Sequence, residues 1–132
     1  MARLWYYLLT NSVGIAASGN GSTINLLQSQ VASLVDKNAH KINADQIQNA
    51  VLLQATSWAG VGTFDVVVQT SPDGTNWITL KAFAQINAAA TELLLANTVP
   101  LLNYVRASWT KGGANPSCDL QVKLFSSEKG SS

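Results

Sequence analysis

Two residues could take part in nucleophilic or metal chemistry, and the sequence contains each of them only once. His40 is the only histidine and Cys118 the only cysteine. A catalytic histidine acts together with a nucleophile and an orienting acid, and zinc or copper sites combine several histidine or cysteine ligands. Because His40 lies in the most polar stretch of the chain, we interpret it as a solvated loop residue. A single cysteine also excludes an intramolecular disulfide.

The seven carboxylates form no recognisable catalytic or calcium-binding pattern. Asp65 and Asp73 could act as paired acids only if the fold brought them together. The position of Asp73 in a turn explains that residue, and a solvent-facing strand position explains Asp65. The sequence has no glycine-rich phosphate loop, nucleophile elbow or dinucleotide fingerprint. We therefore predict that the chain is not an enzyme and uses no cofactor or metal.

Aromatic side chains are the remaining candidates for a binding site. Exposed aromatic faces stack on sugar rings, and tryptophan is favoured at protein interfaces. All four tryptophans fall in predicted strands, and a small β-sandwich needs a few large core residues. Core packing or a subunit interface is therefore a simpler explanation than a sugar-binding platform. The candidate interface or glycan contacts are Trp77, Trp109, Trp58 and Tyr104.

The composition predicts a surface that is poor in charge. Hydrophobic residues make up 47% of the 132 residues and charged residues only 11%, against roughly 25% charged in an ordinary soluble domain. Such a surface suits burial against neighbouring subunits, or solubility through uncharged polar groups. The net charge is +1 and the charges are scattered, so we predict no nucleic-acid partner. Since no run approaches the ~18 apolar residues of a membrane helix, we predict no membrane partner either.

The length allows one domain with a genuine core, and the second half of the chain is patterned for strands. In the last of them, Cys118, Leu120 and Val122 point to one face with Leu124. Turn residues separate the strands at a spacing that is typical of sandwiches and barrels. The predicted fold class is all-β, an antiparallel β-sandwich of jelly-roll-like form. Strand-like segments cover residues 51–58, 63–70, 77–83, 88–96, 104–110 and 118–125.

The clearest local pattern is a β-hairpin over residues 63–83. Phe64, Val66 and Val68 alternate with residues of the opposite face. The turn that follows contains Pro72-Asp73-Gly74, in which proline fixes φ, aspartate bonds the nearby backbone and glycine accepts a positive φ.

The first 49 residues carry weaker signals. Residues 3–9 predict a strand, and residues 11–21 a turn-rich connection. Residues 26–36 have helix-compatible spacing and predict one short helix, with a short strand over 23–26 as the alternative. The polar residues 36–49 predict a long loop or extended arm. Within the single domain, we thus expect a strand and arm over 1–49, the sandwich core over 50–126 and a polar tail over 127–132.

Two segments carry a family resemblance. The first is the hairpin stretch F-D-V-V-V-Q-T-S-P-D-G-T-N-W-I-T-L at residues 64–80, with an S-x-D-G-x-x-W turn, and the second is the strand P-L-L-N-Y-V-R-A-S-W-T at residues 100–110. Over residues 50–126 the pattern resembles small β-sandwich structural proteins of tailed bacteriophages. It is also similar to the discoidin (coagulation factor 5/8 C-type) sandwich, although this chain is shorter and lacks the cysteine pair of that family.

The phage resemblance implies a structural virion protein that assembles in many copies. A head decoration (cement) protein is the first expectation, and a neck, tail or fibre protein is the alternative. The implied partners are the major capsid protein or other virion subunits, with the chain as a homo-oligomer in particles assembled in the host cytoplasm. An arm over residues 10–49 could lie across a neighbouring subunit. The discoidin resemblance implies a carbohydrate- or surface-binding module instead.

Overall fold

The structure is a computed structural model that describes residues 4–26 and 47–128. Apart from Leu26, the helix predicted over residues 26–36 lies outside the described residues. The same holds for His40 and for the predicted arm up to residue 46. In the described part of the chain the strands are β1 (Leu4–Ile15), β2 (Gly19–Asn20), β3 (Ile24–Asn25), β4 (Ile47–Ala59), β5 (Thr63–Ser71), β6 (Ile78–Ala82), β7 (Ala90–Leu95), β8 (Tyr104–Gly112) and β9 (Ser117–Glu128).

The strands form two antiparallel sheets. Sheet A has the order β1-β9-β4-β7, and sheet B has the order β2-β8-β5-β6 with β3 also paired to β8. The apolar faces of the two sheets share one core, so the predicted all-β sandwich is confirmed.

The pairing describes one long hairpin that is rolled up on itself. β1 pairs with β9, β2 and β3 pair with β8, β4 pairs with β7, and β5 pairs with β6 at the tip. Rolling the hairpin places β9 beside β4 and β8 beside β5. This winding is the jelly-roll topology, in agreement with the predicted jelly-roll-like form.

The core forms because alternate residues of each strand turn to the same side. The residues predicted to share one face of β5 and of β9 are all buried, and so are the alternating residues Val105, Ala107 and Trp109 of β8. In β5 these are Phe64, Val66 and Val68, and their neighbours Asp65, Val67 and Gln69 lie on the other side. The predicted hairpin is also present, with β5 and β6 in antiparallel register.

Three predicted boundaries are wrong. β1 continues to Ile15, because register shifts after Leu8 and after Ser12 absorb the turn-forming residues, including Gly14 with φ of 65°. β4 already begins at Ile47, within the stretch predicted as an arm. β9 continues to Glu128, where a polar tail was expected, because residues on both neighbouring strands pair with it.

The turn between β5 and β6 is held by Asp73. Its carboxylate accepts hydrogen bonds from the backbone N–H groups of Thr75 and Asn76, each at 2.8 Å, and from the Asn76 amide at 2.7 Å. The Ser71 hydroxyl also donates to this carboxylate, at 3.0 Å. These donors favour the charged form and hold the pKa of Asp73 far below its ordinary value.

Substituting Asp73→Asn is expected to lower the melting temperature by a few degrees at neutral pH. Because the pKa is depressed in the folded state, the stabilisation is fully present above the unfolded-state value of ~3.9 and is lost as the pH falls towards the folded-state value. Thermal unfolding of both proteins between pH 7 and pH 2 measures this. The difference between them should shrink below about pH 4, and a difference independent of pH would contradict the assignment.

Candidate functional site

Two of the four aromatic residues singled out from the sequence lie against the core. Trp109 is 7% exposed and its indole N–H donates to the carbonyl of Ala17 at 3.0 Å. Trp58 is half-buried and meets Phe64 edge-on, with ring centroids 5.9 Å apart. Both rings therefore take part in packing between the layers.

The other two lie on the outer side of sheet B, beside the β5–β6 turn. The Arg106 guanidinium lies 4.1 Å from the centre of the half-buried Trp77 ring, and its Nε donates to the side-chain oxygen of Gln69 at 2.8 Å. Tyr104 lies two residues before Arg106 on the same face, next to Gly74 of the turn. Sequence reasoning missed Arg106 and Gln69, because only the register of β5 and β8 brings them together.

Asp65 and Asp73 do not meet. Asp65 lies near the start of β5 and Asp73 beyond its end, and the six residue-to-residue steps from Asp65 to Ser71 alone span roughly 20 Å in an extended strand. In addition, no group of three or more histidine, cysteine, aspartate or glutamate side chains in the described part of the chain could hold a metal ion.

Cys118 is a packing residue. Its side chain is buried between the sheets. Burial raises the pKa of the thiol, and the neighbouring Asp119 carboxylate raises it further. A thiol that stays protonated is a poor nucleophile, so Cys118 has the properties of a small buried hydrophobe, as its strand pattern predicted.

The outer face of sheet A has an unusual composition for a solvent-facing surface. An antiparallel sheet commonly presents polar residues on its solvated face, yet one end of this face is apolar. Tyr6, Leu8, Leu93 and Leu95 are 59%, 43%, 64% and 63% exposed. We define the apolar patch as Tyr6, Leu8, Ala50, Leu52, Leu93, Leu95 and Phe125.

The strand register arranges this face in rows that run across all four strands. The Tyr6 and Phe125 rings are in contact within the first row, with centroids 5.7 Å apart. Lys123 is the one charged residue among the two apolar rows, and its ammonium lies 5.6 Å from the Tyr6 ring centre. In strand order β1, β9, β4 and β7, the first row is Tyr6, Phe125, Ala50 and Leu95, and the second is Leu8, Lys123, Leu52 and Leu93.

Beyond the apolar patch the face becomes mainly polar and remains almost uncharged, although the exposed Val13 of β1 also lies there. We call the third row, Asn11, Gln121, Gln54 and Thr91, the polar row. Asp119 and Thr56 follow it. The Asp119 carboxylate accepts a hydrogen bond from the backbone N–H of Gly14 at 2.8 Å. The polar row and these residues line a shallow, open depression of about 290 Å³.

The apolar patch is therefore the main candidate interaction surface. Large exposed apolar patches with polar surroundings mark sites of interaction with other macromolecules. Sequence reasoning missed it, since the seven residues come from four separate strands. The only available signal was the low fraction of charged residues. Among the described residues, no helix has the length and apolar character needed to span a membrane.

Comparison with known protein families finds no match, and comparison with curated proteins finds none either. Among solved structures, the chain is similar to a chain of infectious bursal disease virus, Gx strain, with 11% identity and a TM-score of 0.47 over 98% of this chain and 32% of that chain. It is similar to a chain of the T13 IBDV viral particle, with 9% identity and a TM-score of 0.49 over 97% of this chain and 35% of that chain.

A third similar structure is the coat protein of Tobacco streak virus, with 14% identity and a TM-score of 0.34 over 97% of this chain and 86% of that chain. The present chain spans about a third of the length of the first two proteins. At these TM-scores, the three likenesses carry no argument about function.

Proposed function

We propose that this chain is a structural virion protein of a tailed phage, and specifically a head decoration protein that stabilises the capsid through contacts between subunits. The observation that carries the proposal is the apolar patch on the outer face of sheet A. The resemblance of residues 50–126 to structural proteins of tailed bacteriophages is the reason for proposing a phage particle. The jelly roll supports the proposal only in general terms, because the same fold occurs in viral capsid proteins, lectins and cupins.

The physical character of the surface suits such a role. A decoration protein is held by many modest interfaces, each of which is strengthened when its neighbours are in place. Among the described residues, the outer face of sheet A offers aromatic and aliphatic side chains, neutral amides and only two charged side chains, Lys123 and Asp119. Burying it therefore entails little desolvation of charge. On this proposal, the partners are the major capsid protein or other virion subunits, further copies of this chain among them, and assembly takes place in the host cytoplasm.

Quantitative mass spectrometry of purified particles tests the proposal. We expect this chain in a fixed, high ratio to the major capsid subunit. A few copies per particle would instead favour the alternative position in the neck, tail or fibre. Absence of the chain from the particle would refute a virion role altogether.

A second candidate function is carbohydrate binding, and the cluster of Trp77, Arg106 and Gln69 favours it. The half-buried indole of Trp77 has one face covered by the Arg106 guanidinium, so a sugar would contact the remaining ring surface together with the hydrogen-bonding side chains. Titrating intrinsic tryptophan fluorescence with a glycan panel tests this candidate, with Trp77→Phe as the site variant. A response that disappears in Trp77→Phe would support it, and no response across the panel would exclude it for those glycans.

A further inference from the structure

The outer face of sheet A is complementary to the same face of a second copy of the chain. Its composition changes along the strand direction, from two apolar rows through the polar row to Asp119 and Thr56. Across the strands, in contrast, each row keeps its character. The same face of a second copy could therefore cover it with like side chains in contact, provided that each row lies opposite the same row of the other copy.

We propose that this face forms a homodimer by packing against the same face of a second copy, about a two-fold axis that runs parallel to the strands between β9 and β4. A two-fold axis in this direction exchanges β9 with β4 and β1 with β7, but leaves every row opposite its own row. An axis across the strands would reverse the rows and place apolar residues on polar ones. The row pattern therefore selects one axis direction.

The facing residues follow from the register. Tyr6 faces the partner's Leu95, and Leu8 faces the partner's Leu93. In the polar row, Gln121 faces the partner's Gln54, and each amide can both donate and accept a hydrogen bond. Apolar side chains thus meet apolar ones on both edges of the sheet, and the polar groups that become buried acquire partners.

Lys123 is compatible with this arrangement although it lies within the apolar rows. Its ammonium lies over the ring of Tyr6, which belongs to the edge strand β1. The aliphatic part of a lysine can cover apolar surface while the charged end reaches solvent. Because the axis lies between β9 and β4, Lys123 faces the partner's Leu52 and not the partner's Lys123.

The available area suits a modest, reversible dimer. Four strands ~4.8 Å apart and four rows ~6.8 Å apart define a face of roughly 500 Å² per copy. Two copies would bury roughly 1,000 Å², which lies near the lower limit for specific interfaces. We therefore expect a dimer with a Kd in the range of micromolar concentrations.

The inference deepens the proposed structural role and rests on it for its biological meaning, but it is tested on the isolated chain. Sedimentation equilibrium of the wild type should show a monomer–dimer equilibrium. Leu93→Lys should raise the Kd by about 100-fold or more, since two-fold symmetry introduces the lysine twice into an apolar contact. The matched control is Ile78→Lys, because Ile78 is 50% exposed on sheet B, away from the proposed interface.

Cross-linking tests the direction of the axis. Leu8→Cys and Leu93→Cys are made separately, mixed, and treated with a short bismaleimide that spans the ~10 Å between packed sheets. The mixture should give a covalent dimer, whereas each variant alone should give little, because its two cysteines lie on opposite edges of the dimer. The buried Cys118 does not compete for the reagent.

A wild type that remains monomeric at concentrations of about 100 µM or more would overturn the inference, and so would a dimer that Leu93→Lys leaves intact. A dimer that forms without cross-links in the mixture would overturn the proposed axis. If the dimer forms but the chain is absent from the particle, the interface stands and the virion role fails. If the chain is in the particle but its isolated form is monomeric, the virion role stands and this interface fails.

Discussion

Replacing Phe64 with alanine is expected to lower the free energy of unfolding by about 3–5 kcal/mol, the range for a buried phenylalanine. Phe64 is fully buried on β5 and meets Trp58 of the opposite sheet edge-on. Its backbone N–H and C=O also bond to Ile86, at 2.9 and 3.0 Å. Truncation would leave a cavity where the two layers and the 83–89 connection meet. Equilibrium denaturation in urea, monitored by tryptophan fluorescence, measures the change.

The control is Val67→Ala, in the same hairpin but on the outer face of β5. Because Val67 is only half-buried, its truncation should cost less than about 1 kcal/mol. Domains of this size are stabilised by only about 5–15 kcal/mol, so Phe64→Ala should leave a protein close to its folding limit. A loss below about 1 kcal/mol for Phe64→Ala would show that Phe64 does not join the layers as described.

Replacing Gly60 with alanine should destabilise the fold by about 3–4 kcal/mol, through backbone strain and a steric clash. Gly60 has φ of 80°, and a methyl group there would overlap the backbone oxygen of Asn115. The two loops that meet here are also joined by hydrogen bonds in both directions between Val61 and Asn115, at 2.9 and 3.0 Å. Each loop connects a strand of sheet A to a strand of sheet B, so the substitution should weaken the end of the sandwich at which these loops meet.

Gly14→Ala is the matched control for this prediction. Gly14 also has a positive φ, of 65°, but an added methyl group meets no atom within 4 Å. Gly14→Ala should therefore lower the free energy of unfolding by only ~1–2 kcal/mol, the cost of placing alanine in the left-handed region. The difference between the two variants in thermal or urea unfolding isolates the contact between the loops. Equal losses would mean that backbone conformation alone explains both glycines.

Residue alternation was sufficient to predict the strands that form the core. Leu120, Val122 and Leu124 occupy the inner side of β9 as expected, and Pro72-Asp73-Gly74 forms the turn of the predicted hairpin. These features depend on residues that are close in sequence. Alternation and local turn chemistry therefore determine them almost completely.

The boundaries of β1, β4 and β9 could not be predicted in the same way. Gly14 and its neighbours are typical turn residues, and only the pairing of β1 with β9 keeps them extended. Ser126 is polar, yet it is buried. Its hydroxyl donates a hydrogen bond to the side-chain oxygen of Asn49 at 2.7 Å, which satisfies the buried group. Each partner is distant in sequence, so a local pattern contains no sign of it.

The candidate interaction surface could not be predicted from the sequence either. Leu93 and Leu95 of β7 lie on the outer face, and only long-range register places them in line with Leu8 and Tyr6. The four tryptophans were considered as candidate binding residues because of their residue type. Two of them, Trp58 and Trp109, pack between the layers instead. The composition indicated that some low-charge surface existed, but not where it lay.

The proposed role requires that the outer face of sheet A is buried in an assembled particle. Electron microscopy of the purified particle at side-chain resolution would show whether it is buried. We expect many symmetry-related copies, with Tyr6, Leu8, Leu93 and Leu95 in contact with a neighbouring subunit. A map in which the chain is present but these four side chains face solvent would refute this role.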